Sequence, residues 1–305
     1  MYTDKQQSLL DKLENLMKER NLSQSAVGQL IGISETTLSQ LRNERYKANP
    51  QKIFDVIEKF FRKNENSEYS DKSYVNTSIS GQIYKVIANC RSKGGLAVVC
   101  GDAGIGKTKT AQKFVADNPE DSFLITINPC LTGIKSLLKI IADCIGAGQE
   151  KSVNDMWFSI VNKISDGTVF IFDESQHLTL KTIEVLRSFS DYFSNKGQTL
   201  GICFIGNLET IARMGSRKAE FAQISNRTRQ RKIYRNTDIK REDICKIFPV
   251  LEKEGMNAEI DYLLKIARTP QALRGAVNLF SNAYDNENYT YAGLVAMAEF
   301  MDMEV

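Results

Sequence analysis

The sequence predicts an α/β fold: a parallel sheet covered by helices, with an all-α domain before it and a small helical domain after it. Three observations carry this prediction. Apolar strand candidates alternate with helical patterns through the middle of the chain, which is typical of a parallel sheet. A glycine-rich loop joins one of these strands to a helix. Helical periodicity without strands occupies both ends of the chain.

The composition is that of an ordinary globular protein. Of 305 residues, 42% are hydrophobic and 25% are charged, and 40 basic against 37 acidic residues indicate no particular partner. The six cysteines form no C-x-x-C pair, so we expect reduced core residues in a cytoplasmic protein. No apolar run approaches the roughly 20 residues of a membrane span, and the N-terminus has no secretory segment.

Residues 1–63 predict a helix-turn-helix domain. An amphipathic first helix over residues 8–20 precedes two short helices, each of which begins at a serine able to cap it, Ser23 and Ser34. Gly32 falls in the turn between them. The residues expected to face inward are Ala26, Leu30, Ile33, Leu38 and Leu41, with Ile53, Val56, Ile57, Phe60 and Phe61 on a closing helix.

This arrangement resembles the helix-turn-helix of phage repressors. The resemblance implies that the second short helix lies in a major groove of DNA, where it presents Thr36, Thr37 and Gln40. Arg42 and Arg45 would then lie near phosphates. A small helical bundle that binds other proteins has the same apolar spacing and is the alternative.

Residues 64–78 contain almost nothing to bury and predict a linker. The linker precedes the α/β core, which we assign to residues 79–236. After a helix around Ile79–Arg91, strands alternate with helices. The strand candidates are Leu96–Cys100, Phe123–Ile127, Thr168–Phe172, Leu200–Ile205 and a weaker Lys232–Arg235.

Residues 101–108 fit the pattern G-x-x-x-x-G-K-[ST] at every fixed position, between an apolar strand and a helical pattern. In that setting, backbone N–H groups surround phosphates and the helix N-terminus adds its positive dipole end. We expect Lys107 to reach the β- and γ-phosphates of ATP and the Thr108 hydroxyl to hold Mg²⁺. The predicted ATP-binding residues of the loop are Gly101, Asp102, Ala103, Gly104, Ile105, Gly106, Lys107, Thr108 and Lys109. The alternative is a glycine-rich turn that matches by chance.

The third strand candidate runs directly into two acids, Asp173 and Glu174. We expect Asp173 to hold the Mg²⁺ shell and Glu174 to act as the general base for the attacking water. Adjacent carboxylates at the end of a buried strand are costly unless a cation or a water network receives them. An apolar strand that ends in two acids is weak evidence for an ATPase on its own. It becomes strong evidence when it is the next-but-one strand after a phosphate-binding loop. The alternative is a strand that ends in solvated acids.

Two further polar residues lie near these motifs. Asn207 follows the fourth strand candidate, and its amide can orient the lytic water or touch the γ-phosphate without adding charge; the alternative is a turn-forming Gly-Asn pair. His177 is the only histidine of the chain. We expect it to cap or pack at the start of the following helix and assign it no chemistry.

The order of these motifs resembles the phage Mu transposition protein B family of AAA+ ATPases, and more distantly the TnsC-type transposition regulators. The resemblance spans nearly the whole chain. The ATPase motifs alone are shared by many families, whereas their combination with a leading helix-turn-helix and a D-E-x-x-H-L run is much narrower. The segments that carry it are the helix-turn-helix, residues 98–108, 172–178 and 205–207, and Pro270-Gln271-Ala272-Leu273-Arg274.

The resemblance implies target selection in DNA transposition. The ATP-bound protein would form helical filaments on double-stranded DNA, recruit and stimulate a DDE transposase, and be cleared when the transposase provokes ATP hydrolysis, which gives target immunity. The family pattern also places Asn207 at the sensor-1 position. It places Arg274 at the sensor-2 position of a helical lid, which we assign to residues 237–305.

A basic segment follows the fourth strand candidate: residues 213–240 hold nine basic residues against two acids. By the family pattern, Arg227 is the arginine finger that reaches the γ-phosphate bound by a neighbouring subunit. The family more often has Ser-Arg where this chain has Asn226-Arg227, so Arg229 remains a rival. The alternative for the segment is a solvated basic face or direct phosphate contact.

Filament DNA would contact loops and helices that face a central channel. Lys135, after the second strand candidate, is the preferred contact, and Lys181 and Arg187 lie on the helix after Glu174. In the lid, the predicted helices are Ile239–Leu251, Ala258–Arg268, Pro270–Tyr284 and Tyr291–Phe300. Two rival functions remain: an ATP-responsive helix-turn-helix transcription regulator, and a helicase loader or secretion-type ATPase whose partner is another protein ring.

Overall fold

The computed structural model describes residues 2–19, 22–46, 48–65, 74–130, 133–210 and 228–303. The chain divides into two compact units, Met1–Lys72 and Ser73–Val305. Across the described ranges, no helix is long and apolar enough to cross a membrane.

Four helices lie among the described residues of the first unit. They are α1 (Asp4–Glu19), α2 (Gln24–Ile31), α3 (Glu35–Arg42) and α4 (Gln51–Glu65). The two serine caps are present as predicted, because Ser23 accepts from the backbone N–H of Ala26 and Ser34 from that of Thr37. Gly32 ends α2 with φ +78°, a left-handed conformation that glycine adopts at little cost.

The inward face of this unit differs from the prediction at two positions. Leu30 is 54% exposed and Val56 is 41% exposed, whereas Val27 and Ile31 are buried. Residues 27 and 31 are four apart on α2 and therefore share one side of the helix. Choosing Ala26 and Leu30 instead shifted the predicted face by one residue.

In the part of the second unit that the structure describes, five parallel strands form the sheet. They are β1 (Gly95–Gly101), β2 (Ser122–Thr126), β3 (Thr168–Asp173), β4 (Leu200–Gly206) and β5 (Thr228–Tyr234). Their order is β2-β3-β4-β1-β5, and every neighbouring pair is parallel. The carboxyl ends of β1, β3 and β4 consequently meet at one edge of the sheet.

Helices cover both faces of this sheet. The core helices are α5 (Ser78–Lys93), α6 (Lys107–Asp117), α7 (Ile134–Ile145), α8 (Val153–Lys163) and α9 (Leu180–Asn195). Val98, Phe172 and Phe204 belong to a buried cluster with residues of α7, α8 and α9. Since side chains alternate along a strand, Val99 and Ile171 point to the opposite face, and α5 contacts β1 and β4. Burial on both faces explains the unbroken apolar runs of the central strands.

The predicted fifth strand was too short. It was placed at Lys232–Arg235, whereas β5 begins at Thr228 and ends at Tyr234. At the sheet edge, β5 alternates half-buried with exposed residues over its first four positions. Charged side chains at the exposed positions are typical of edge strands and conceal the strand pattern in the sequence.

The lid contains five helices among the described residues. They are α10 (Arg241–Ile247), α11 (Pro249–Lys253), α12 (Asn257–Ala267), α13 (Ala272–Asp285) and α14 (Tyr291–Phe300). The single helix predicted over Ile239–Leu251 was wrong, because Pro249 lacks a backbone N–H and its ring obstructs the preceding turn. Helix α13 starts two residues after Pro270, so Pro270 lies in the turn before it.

Candidate active site

The glycine-rich loop connects β1 to α6 at the carboxyl edge of the sheet. Gly104 and Gly106 have φ values of +79° and +97°, which side chains other than glycine rarely adopt. Helix α6 begins at Lys107, directly after Gly106, and no side chain caps it. The first N–H groups of α6 are therefore available to an anion in the loop.

The Lys107 ammonium lies within this loop. It donates to the carbonyl oxygens of Gly101 at 2.9 Å and Asp102 at 2.7 Å. Burial lowers the pKa of Lys107, and the carboxylates of Asp173 and Glu174 oppose that shift. A cation held among carbonyl oxygens beside the first N–H groups of a helix fits the phosphates of a nucleotide.

Thr108 and Asp173 are in direct contact. The Thr108 hydroxyl donates to Asp173 Oδ2 at 2.6 Å, and Asp173 Oδ1 accepts the backbone N–H of Glu174 at 3.0 Å. Burial raises the pKa of Asp173, against the lowering effect of the Thr108 hydrogen bond. A hydroxyl and a carboxylate are oxygen donors of the kind Mg²⁺ prefers, and Mg²⁺ commonly takes one or two carboxylates plus substrate phosphates. This pair fits such an ion.

No larger metal-binding cluster accompanies this pair. The part of the chain that the structure describes contains no group of three or more His, Cys, Asp or Glu side chains that could hold a metal ion.

Glu174 follows β3 in an unusual backbone conformation. Its φ of +55° and ψ of +37° are left-handed, which costs about 1–3 kcal/mol for a residue other than glycine. The side chain is exposed, and its Oε2 accepts a hydrogen bond from Nε2 of Gln176. This bend separates Glu174 from the buried Asp173 and turns it out of the strand.

Asn207 lies beside these acids because β4 pairs with β3. The register aligns Phe172 with Phe204, so Asp173 at the end of β3 and Asn207 directly after β4 lie at the same edge of the sheet. The Asn207 side-chain oxygen accepts the backbone N–H of Glu209 at 2.9 Å. That bond fits the turn-forming alternative, and the catalytic role of Asn207 stays a prediction.

The lid reaches the glycine-rich loop at Arg274. A Cβ atom added to Gly104 would lie 3.2 Å from the Cβ atoms of both Ala272 and Arg274. A cavity of about 380 Å³ opens between the loop and the lid, and its lining includes Ala103, Gly104, Gln271 and Arg274. The structure therefore brings Arg274 to the predicted nucleotide site from a distant part of the sequence.

The predicted DNA contacts on α3 differ in how they are held. Thr36 and Gln40 are exposed, and Thr36 and Thr37 both share hydrogen bonds with the Ser34 hydroxyl. Arg42 instead donates to Gln24 Oε1 and to Glu14 Oε1, each at 2.9 Å. A phosphate would have to compete with these partners, and DNA contact by Arg42 stays a prediction.

The remaining predicted residues lie apart from one another. Lys135 and Lys181 are exposed near the starts of α7 and α9, whereas Arg187 pairs with Asp191 at 2.7 Å. Arg229 lies near the amino end of β5, whose carboxyl end pairs with the glycine-rich loop. Arg227 and most of the linker lie outside the described residues. These assignments stay predictions.

Sequence reasoning missed Gln176. This side chain is buried in a 3₁₀ turn (Ser175–His177) and contacts both the Glu174 carboxylate and the backbone N–H of Asn207. The only signal in the sequence is a glutamine two residues after Glu174, and nothing in a linear pattern shows that its side chain turns back.

Comparison with known proteins agrees with this geometry. Residues 90–214 match a family described as an AAA domain, and residues 12–59 match the Cro/C1-type HTH DNA-binding domain. The ATP-dependent target DNA activator B of Escherichia phage Mu is 25% identical over 268 residues, which are 86% of this chain and 83% of that protein. The predicted resemblance to the Mu transposition protein B family is confirmed.

A second relative of the Mu transposition protein B family covers more of the chain. The Mu-like prophage FluMu DNA transposition protein B of Haemophilus influenzae is 24% identical over 294 residues, 92% of this chain and 96% of that protein. The HTH match precedes the AAA match along the chain. The core is accordingly an ATPase domain of the AAA type.

Solved structures support the same fold. Cdc6p from Pyrobaculum aerophilum has a TM-score of 0.54 at 15% identity and covers 74% of this chain and 67% of its own. The Aeropyrum pernix ORC2 protein, solved as ADPNP-ADP complexes, has a TM-score of 0.52 at 12% identity, with coverages of 77% and 67%. At these identities the likeness concerns the fold alone, and the predicted fold class is confirmed.

Proposed function

We propose that this protein is an ATP-dependent, DNA-binding target activator of transposition. It forms filaments on double-stranded target DNA, recruits and activates a DDE transposase, and leaves the DNA after ATP hydrolysis, which provides target selection and immunity. The observation that carries the proposal is the meeting of Lys107, Thr108, Asp173 and Glu174 at one sheet edge, in a chain similar to the Mu activator. Its phage and prophage relatives favour action in the bacterial cytoplasm.

ATP hydrolysis would use the residues of this edge in separate roles. The loop N–H groups and Lys107 bind the phosphates. Thr108 and Asp173 would hold Mg²⁺, which would supply positive charge beside the phosphate oxygens. Glu174 accepts a proton from the attacking water. Asn207 orients that water, and Arg274 contacts the phosphates from the lid.

Hydrolysis would depend on assembly through Arg227. An arginine supplied by a neighbouring subunit stabilises transition-state charge and is worth about 10³–10⁵ in rate in P-loop enzymes. We assign this role to Arg227, with Arg229 as the alternative. Because the arginine comes from a neighbouring subunit, an isolated subunit has low ATPase activity. ATP turnover therefore depends on filament assembly.

DNA binding would combine the two units. Thr36, Thr37 and Gln40 enter a major groove, with Arg42 near phosphates. In the second unit, Lys135, Lys181 and Arg187 contact phosphates without reading sequence, so that affinity falls steeply with salt. Coating of long DNA requires this second kind of contact, since a filament cannot depend on one sequence.

Footprinting on a long duplex tests the proposal against its main rival. We expect continuous protection that requires ATP and Mg²⁺ and extends with protein concentration. An ATP-responsive transcription regulator would instead protect one discrete operator, and that result would reject the proposal. The observation that supports this alternative function is the match of residues 12–59 to a Cro/C1-type HTH DNA-binding domain.

A further inference from the structure

The buried side-chain amide of Gln176 connects the carboxyl end of β3 to that of β4. Gln176 is 7% exposed. Its Nε2 donates to Glu174 Oε2, and its Oε1 accepts the backbone N–H of Asn207 at 3.4 Å. The same side chain therefore contacts the residue after β3 and the residue after β4.

The 3₁₀ turn that carries Gln176 is itself fixed to β3. The Ser175 hydroxyl donates to the carbonyl oxygen of Phe172 at 2.6 Å. The backbone N–H of His177 donates to the carbonyl oxygen of Glu174 at 3.1 Å. These bonds hold the start of the Gln176 side chain in place relative to the strand end.

The space for the Gln176 amide exists because β4 ends in glycine. A Cβ atom added to Gly206 would lie 2.7 Å from Gln176 Oε1 and 2.2 Å from Thr210 Oγ1. Cβ atoms essentially never approach other atoms so closely in proteins, so any side chain at 206 would displace the amide, Thr210 or both. Gly206 thus provides the site that receives Gln176.

We propose that Gln176 is a positioning residue for ATP hydrolysis, which holds one carboxylate oxygen of Glu174 so that the other oxygen faces the attacking water. The inference rests on the proposed role of Glu174 as general base. A general base acts only within hydrogen-bond reach of the proton it removes, and its orientation is part of that requirement. By bonding Asn207 as well, Gln176 fixes the base relative to the predicted sensor residue.

Steady-state ATPase assays on Gln176→Met test the proposal, because methionine keeps the length of the side chain and removes both hydrogen bonds. We expect kcat to fall by about 10- to 100-fold, part of the 10²–10⁴ that a positioned base supplies. KM and the thermal unfolding temperature should stay close to the wild-type values. Gln176→Asn, which retains the amide on a shorter chain, should recover part of kcat.

A double-mutant comparison separates positioning from general damage. Glu174→Gln should have low kcat, and adding Gln176→Met to it should cause no further loss, because the base is already absent. Gly206→Ala in a Thr210→Ala background should reproduce the Gln176→Met defect, since the new Cβ then lies closer than 3.0 Å only to Gln176 Oε1. Thr210→Ala alone is the matched control.

Three results would overturn the inference: an unchanged kcat in Gln176→Met, a raised kcat, or a loss of kcat together with ATP affinity and thermal stability. Failure of the proposed function is recognised separately. In that case the wild-type protein would not hydrolyse ATP, or Glu174→Gln would hydrolyse it at the wild-type rate.

Discussion

The Thr108 hydroxyl donates to the Asp173 carboxylate at 2.6 Å, which joins the start of α6 to the end of β3 directly. Asp173 is 2% exposed, and its ionised form is therefore unfavourable without a cation. Lys107 lies in the adjacent loop but donates to loop carbonyl oxygens rather than to this carboxylate. The hydroxyl and the carboxylate are oxygen ligands that fit a divalent cation.

Asp173→Asn is expected to stabilise the nucleotide-free protein while abolishing hydrolysis. Burial raises the pKa of Asp173 above its ordinary value of about 4. Between the pKa of Asp173 in the unfolded state and its raised pKa in the folded state, the folded state binds more protons than the unfolded state. The free energy of unfolding therefore falls as pH rises through this range. Without nucleotide and Mg²⁺, the variant should melt at a higher temperature than wild type at pH 7. The difference should shrink as pH falls toward about 4.

Thermal unfolding measured across this pH range checks the prediction, with Asp155→Asn as the control because Asp155 is an exposed acid outside the site. A variant that melts below wild type at pH 7 would contradict the account of Asp173.

Glu174→Gln should bind ATP and hydrolyse it poorly. Glutamine keeps the shape of the side chain but cannot accept the proton of the attacking water, so we expect kcat to fall by about 10²–10⁴. Because ATP then persists, the variant should stay on DNA longer than wild type. The measurements are the rate of phosphate release and the lifetime of the protein on DNA. ATP turnover close to the wild-type rate would contradict the assignment of Glu174 as the general base.

Substitutions at Arg42 and Gln40 should separate structural from DNA-binding roles in the first unit. Arg42 pairs with Glu14, and their side chains are 29% and 45% exposed. Arg42→Ala should lower stability by up to about 1 kcal/mol, the usual range for such pairs. Gln40→Ala should weaken DNA binding without a change in unfolding. Calorimetry and fluorescence anisotropy test both; if Arg42→Ala lost only DNA affinity, its phosphate contact would outweigh the ion pair.

Mixing two inactive variants tests the finger across subunits. Arg227→Ala should bind ATP yet lose stimulated hydrolysis, and Lys107→Ala should lose ATP binding but retain Arg227. In mixed filaments, Lys107→Ala can offer its arginine to ATP held by Arg227→Ala, so we expect partial recovery of turnover. Mixing Lys107→Ala with Arg229→Ala is the control for the rival finger. Absence of rescue in the first mixture would argue against a finger in trans.

Local chemistry explains why much of the site could be predicted. The roles proposed for Lys107, Thr108 and Asp173 follow from the spacing within a strand-loop-helix motif and from a strand that ends in acids, and both patterns can be recognised in a linear sequence. Arg274 was found only through the family pattern, because its contact with Gly104 joins distant segments. Gln176 was missed because its role depends on a side-chain direction and on the space left by Gly206.

The fold errors have equally specific causes. Leu30 and Val27 are both apolar, and periodicity alone could not decide which of them faces the core. The predicted helix Ile239–Leu251 included Pro249, although a proline inside a helix interrupts it. The first residues of β5 alternate in exposure at the sheet edge, so no apolar run marks them.

ATP turnover measured with and without long duplex DNA tests the central claim most directly, because the account makes hydrolysis depend on assembly along DNA. With Mg²⁺ and ATP, wild-type protein should coat the duplex in electron micrographs and hydrolyse ATP much faster than without DNA, and Lys107→Ala should do neither. If wild-type protein stayed monomeric on long duplexes and its turnover did not change when DNA was added, the account would be contradicted.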